Sequence, residues 1–107
     1  PTVSITSAYA SGFGLYVSWD ISTTSYGGGT LTGFTVSQDQ YVFIGGDYQY
    51  VGSSSGNFGS SVRSGVIYLS YDQGGSVDAY SALTVTANWS NGNSYSGGDT
   101  VWYTVYA

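Results

Sequence analysis

The chain contains no cysteine, histidine, methionine, lysine or glutamate, and Arg63 is its only cation. Without Cys or His there is no disulfide framework, no thiol nucleophile, no imidazole base and neither of the commonest zinc ligands. The usual hydrolytic triads fall away, so conventional catalysis is not expected and no cofactor or metal site is assigned. Duplex nucleic acid demands several Lys or Arg against its phosphates, and one arginine in a chain of net charge −5 does not supply them. No apolar run reaches the ~18 residues of a membrane-spanning helix. The N-terminus lacks a basic segment followed by an apolar one, so membrane insertion is not expected and the chain reads as soluble, or as a mature form already trimmed of its signal.

What is present is enough for a core. Of the 107 residues, 41% are hydrophobic and 18% aromatic, so the low charged fraction of 7% does not indicate a disordered polar tail. One folded domain over residues 1–107 is the expectation. Apolar residues recur with period two almost throughout. Val3 and Ile5 alternate with Ser4 and Thr6; Leu15, Val17 and Trp19 with Tyr16, Ser18 and Asp20; Phe34 and Val36 with Thr35 and Ser37; Leu83, Val85 and Ala87 with Thr84, Thr86 and Asn88. The last segment sets Val101, Tyr103 and Val105 on one face and Trp102, Thr104 and Tyr106 on the other.

Glycine and serine clusters at 22–29, 53–61, 74–76 and 91–98 read as turns between these strands. Residues 41–51 read as a hairpin about Gly45-Gly46-Asp47. Val66-Ile67-Tyr68-Leu69, apolar on both faces, reads as a central strand. No segment has the pattern of a helix. About seven strands separated by turn signals predict an all-β fold, a two-sheet antiparallel β-sandwich.

Gly14-Leu15-Tyr16-Val17-Ser18-Trp19-Asp20 resembles the second strand of a fibronectin type III domain, in which an apolar-x-Val-Ser-Trp pattern buries the tryptophan. Leu31-Thr32-Gly33-Phe34-Thr35-Val36 is similar to the following strand, and Leu83 to Asn88 with Trp89-Ser90-Asn91-Gly92 to the penultimate strand and its turn. The resemblance implies an immunoglobulin-like sandwich. Its corner tyrosine should fall where this chain has Ser81, with Tyr80 one position early, and the 41–59 region is longer than the family's middle connection. The abundance of Tyr, Ser, Thr and Gly with sparse charge also resembles the surface-layer and filament proteins of thermoacidophilic archaea, many of them joined by donor-strand exchange. An acidic set made only of Asp loses its charge in strong acid, which leaves a surface solvated by hydroxyls and amides.

Asp72 and Asp78, flanking Gln73 to Val77, have the two-carboxylate arrangement of glycoside cleavage, but Asp beside Gly is ordinary turn composition and the turn reading is preferred. Ser53-Ser54-Ser55 has no base and reads as a flexible loop. The six Asp form no calcium-loop spacing. Asn88-Trp89-Ser90 is the one glycosylation sequon, placed where a strand enters a polar turn.

The aromatics divide into two groups. Trp19 alternates with Leu15 and Val17 and belongs to the core. Trp89, Trp102, Tyr16, Tyr26, Tyr48 and Tyr50 have polar neighbours and are surface candidates, able to stack on sugars or to be buried against a partner. At the chain's two ends, Val3 and Ile5 and then Val101, Trp102, Tyr103, Val105 and Tyr106 lie on uncharged strands without the Lys or Pro that usually blunt an edge, and so invite strand addition. These features converge on an extracellular or cell-surface structural protein. It would be a filament subunit joined to copies of itself through strand edges or donor-strand complementation; the alternative is an adhesion module for extracellular glycans.

Overall fold

The computed structural model describes Pro1–Ala107. Eight strands follow one another without a helix: β1 (Val3–Ser11), β2 (Gly14–Ile21), β3 (Ser25–Tyr26), β4 (Gly29–Ile44), β5 (Asp47–Gly59), β6 (Ser64–Tyr68), β7 (Gln73–Trp89) and β8 (Ser94–Val105). They form two antiparallel sheets. One has the order β1-β2-β6; in the other, β8, β7 and β4 lie side by side, and β4 carries β5 and the short β3 along its far edge. This is the expected all-β sandwich, drawn out to 49 × 21 × 17 Å because β4 and β7 run 16 and 17 residues while β1 and β2 run nine and eight.

The core follows the alternation in the sequence. Leu15, Val17 and Trp19 from β2 meet Phe34 and Val36 from β4, Leu83, Val85 and Ala87 from β7, and Val101 from β8. Trp19 sits against Phe34 and Phe58 with ring centroids 5.6 and 5.4 Å away. Arg63 does not pair with an acid. Its guanidinium donates to the Ser60 and Val62 carbonyls and lies 5.0 Å from the centre of the Phe34 ring, so the only cation clamps its own loop.

Several segments differ from the sequence reading. Phe34–Val36 and Tyr41–Ile44 are one continuous strand, β4. Residues 53–59, read as a turn and flexible loop, are the second half of β5, and Ser94–Gly98 open β8. The cause is common to both: their outward residues are hydroxyls, and some inward ones are glycine. A Cβ at Gly56 would stand 3.3 Å from Ile67, and at Gly65 it would overlap the Phe58 ring, so small residues here make room for the core. Gly74–Ser76 form a bulge in β7, not a free turn, and Asp78 lies within that strand. β6 is an edge strand, paired only to β2; its Tyr68 is apolar but turned to solvent.

A second, smaller core of Val42, Ala79 and Val105 lies toward the far end of the long sheet. Between the two cores runs a polar layer. Ser81 Oγ donates to Gln38 Oε1 at 2.7 Å and lies 2.6 Å from the Tyr103 hydroxyl, Gln38 Nε2 donates to Ser54 Oγ, and the Ser70 N–H donates to Gln40 Oε1 at 2.9 Å. Gln38, Gln40 and Ser81 are fully buried. Buried polar groups are ordinarily bonded; here only Gln40 Nε2 lacks a partner, and a wrong register of β4 against β7 would break the rest of the set.

Burial pushes the Tyr103 hydroxyl above the usual tyrosine range, with the hydrogen bond to Ser81 pulling the other way. Below about pH 10 the group is protonated in folded and unfolded chains alike. Above that, the unfolded chain releases its proton first, so stability falls as pH rises toward the folded value. Denaturant titrations from neutral pH into alkali should give a flat stability followed by a decline, and Tyr103→Phe, starting from a lower plateau, should lose part of that decline.

The two open sides of the sandwich are drawn together. On one, Ser54 Oγ donates to the Tyr68 carbonyl, joining β5 to β6. On the other, β1 lies against β8 so closely that a side chain at Gly97 would overlap the Val3 carbonyl.

Candidate functional site: an outward aromatic face

Because Val42, Gln40 and Gln38 of β4 point inward, Tyr41 and Phe43 point outward. The same parity turns Tyr80 out of β7 between buried Ala79 and Ser81, and Trp102 out of β8 next to buried Val101. β5 reaches this face by a bulge. Gln40 pairs with Gly52 but Tyr41 pairs with Tyr50, leaving Val51 as the extra residue. In an unbroken register Tyr50 would oppose Val42 and point inward with it; the bulge turns Tyr50 and Tyr48 outward instead. Gly52 makes this possible, with φ +148° and a position where a Cβ would stand 2.8 Å from Ser70 Oγ.

Register then aligns four rings across four strands: Tyr50, Tyr41, Tyr80 and Trp102 are successive direct partners. Their centroid separations are 5.7, 4.8 and 4.8 Å. Tyr48 adds edge-on contacts to Tyr80 and Trp102 at 5.1 and 5.8 Å, and Phe43 packs on Tyr48. Tyr41 and Tyr80 are stacked within 14° of parallel, so each spends a ring face on the other. The ends of the row are open, with Trp102 62% and Tyr50 57% exposed. Asp39 and Asp78 stand on the same face two residues along their strands from Tyr41 and Tyr80. They lie on opposite sides of the row, and beyond Asp39 the face turns to hydroxyls and amides, including Thr35, Asn57, Thr86 and Ser96.

Stacked aromatic pairs contribute ~0.5–1.5 kcal/mol beyond their area. A double-mutant cycle of Tyr41→Ala and Tyr80→Ala, read by denaturant unfolding, should return a coupling energy in that range.

The structure brings together Trp102, Tyr48 and Tyr50 from the sequence-derived candidates and adds Tyr41, Phe43 and Tyr80. The added residues carry a sequence signal: extending the Phe34, Val36 alternation through Gln38, Gln40 and Val42 sends Tyr41 and Phe43 outward. Trp89 is a correction. It is 3% exposed, lies edge-on to Tyr26 at 5.2 Å and donates its Nε1–H to the Thr24 carbonyl, so it belongs to the core and not the surface. Its polar sequence neighbours belong to the outward face and the following turn. Tyr16 is exposed but lies on the other sheet, stacked on Tyr9.

Asn88 is half-buried on the outward face of β7, and its amide donates to Thr35 Oγ1 at 3.3 Å. Among the terminal-strand residues, Val3, Val101 and Val105 are buried, Ile5 and Tyr103 pack against the core, and Trp102 and Tyr106 are exposed. β1 and β8 pair with β2 and β7 of the same chain, and β1 packs against the inward side of β8 at Gly97. No three His, Cys, Asp or Glu side chains gather. Comparison with protein-family models, curated proteins and solved structures finds no match for the chain.

Proposed function

We propose that the chain is a non-catalytic structural protein of an extracellular or cell-surface assembly, and that it binds copies of itself through the aromatic face. The observation that carries this reading is the row of four rings in register, closed in the middle and exposed at both ends. Contacts that hold proteins together are dominated by a few Trp and Tyr anchors, and rings already packed on one another lose little freedom when covered. No charged group lies within the row, and the two carboxylates that flank it, Asp39 and Asp78, are exposed at its rim.

A second copy is the favoured occupant because the opposite sheet carries an unlike aromatic patch. There the Tyr9–Tyr16 pair borders a groove of about 260 Å³ lined also by Val17, Ser64 and Val66. Two unlike faces on opposite sides make a head-to-tail contact, which repeats as an open filament. Since β1 and β8 already pair with β2 and β7 of the same chain, face contact is preferred over strand addition. The buried Trp19 on β2 and the order of the strands support the fibronectin type III-like reading, and the hydroxyl-rich, charge-poor surface supports an exterior location.

Sedimentation velocity and negative-stain microscopy over a concentration series at acidic and neutral pH test this. Concentration-dependent assembly that Trp102→Ala weakens while leaving the fold intact is the expected result. A monomer under every condition overturns it. The open faces of Trp102 and Tyr50 favour one second reading, stacking on an extracellular glycan; a monomeric chain retained by a polysaccharide through Trp102 would select it.

A further inference from the structure

We propose that Tyr9 and Tyr16 are the site of an oxidative tyrosine–tyrosine cross-link that staples β1 to β2. The pair is the one that borders the groove used in the assembly reading, but the cross-link forms within a single unassembled chain and does not rest on that reading. The two residues are direct partners across the β1–β2 ladder. Their rings are stacked within 8° of parallel at 5.1 Å between centroids, and both are exposed, at 55% and 38%. The pair is approached from one side by the groove lined by Ser18, Ser64 and Val66, wide enough to admit a small oxidant. With neither Cys nor Met in the chain, the side chains that normally absorb oxidants first are missing, and phenols and indoles are what remain.

The reaction balances with a peroxide as oxidant, acting through a peroxidase. Each phenol gives up one electron and its hydroxyl proton. The two phenoxyl radicals couple through ring carbons ortho to the oxygens, forming one C–C bond. The hydrogen on each coupled carbon then moves to oxygen, restoring both aromatic rings. The peroxide takes up two electrons and two protons and leaves as two molecules of water, so the protein loses two hydrogen atoms. Stacking holds the reacting carbons together before oxidation, which turns an encounter between radicals into an intramolecular step. The Tyr41–Tyr80 stack is less suited: its rings are half-buried and hemmed in by Tyr48, Tyr50 and Trp102.

The test treats the full chain, dilute enough to be monomeric, with hydrogen peroxide and a plant peroxidase. Chymotrypsin cuts after Phe13, so Tyr9 and Tyr16 leave on separate peptides unless they are joined. The expected result is a joined peptide pair two hydrogens lighter than the sum of its parts, with dityrosine fluorescence. Both signals should fall to background in Tyr9→Phe and in Tyr16→Phe, which keep the stacked rings, and should persist in Tyr41→Phe. Absence of the joined pair in the unsubstituted chain, a cross-link mapped to Tyr41 and Tyr80, or one formed only between chains would each overturn the proposal.

Discussion

Trp19→Ala is expected to remove ~3–5 kcal/mol from the free energy of unfolding, the range for deleting a large aromatic side chain from a packed core. Trp19 is 2% exposed and bridges the sheets, touching Phe34 of β4 on one side and Phe58 of β5 on the other. No neighbour can close the space. Leu15 and Val17 belong to the same strand, and Phe34 already holds the Arg63 guanidinium over its ring. Set against the ~5–15 kcal/mol of a typical domain, a loss of this size leaves a chain near the margin of folding. Guanidinium unfolding followed by far-ultraviolet circular dichroism measures it. Trp19→Phe should cost markedly less, and for a specific reason: the indole Nε1–H is buried without an acceptor, so phenylalanine deletes an unpaired donor along with part of the ring. A Trp19→Phe variant as unstable as Trp19→Ala would contradict this account of the core.

Gly97→Ala is expected to cost ~1–3 kcal/mol, a large effect for a single methyl group, because the added carbon points between the sheets and has no rotamer with which to avoid the clash. It would overlap the Val3 carbonyl, a backbone atom, and so can be accommodated only by moving β1 away from β8. That displacement loosens the two terminal strands, which carry a single charged residue, Asp99, between them. The variant should therefore associate through its edges at concentrations where the parent does not, visible as thioflavin-positive or light-scattering material. Gly98→Ala is the natural control: its Cβ would meet only the Leu83 carbonyl, at 3.2 Å, which a small shift relieves. Equal behaviour of the two variants would mean that the β1–β8 contact does not protect the edges.

The same positions mark where the sequence is readable. Alternation located the inward residues of β2 and of the Leu83–Ala87 stretch of β7 because there the inward side chains are all apolar and most outward ones are polar. It failed where the inward residue is itself polar or absent. Gln38 and Gln40 look like solvent residues until Ser81 of β7, Ser54 of β5 and Ser70, just after β6, are brought to them. Residues 53–59 look like a loop because hydroxyls point out of β5 and glycines lie beneath Phe58 and Ile67. The aromatic face was legible only in fragments. Tyr48, Tyr50 and Trp102 can be picked out singly, but their union with Tyr41 and Tyr80 depends on the pairing of strands distant in sequence and on one bulged residue, Val51. Trp89 misleads for a related reason. Its neighbours Asn88 and Ser90 face outward or lie in a turn, while the indole itself closes the end of the core over Tyr26.

The lie of the first and last strands has a mechanical consequence. β1 passes Gly97 at its start, and Gly12, just beyond its end, accepts a bond from Gln73, whose strand partner is Val105. β1 and β8 thus run in the same direction along the long axis, and Pro1 and Ala107 point toward opposite ends. A pull on both ends would act along the β1–β2 and β7–β8 ladders, not across them. Their hydrogen bonds would be strained in shear and would have to yield together, whereas a hairpin pulled open from one end unzips bond by bond. Stretched in this direction, the chain should resist extension far better than its thermodynamic stability alone would suggest.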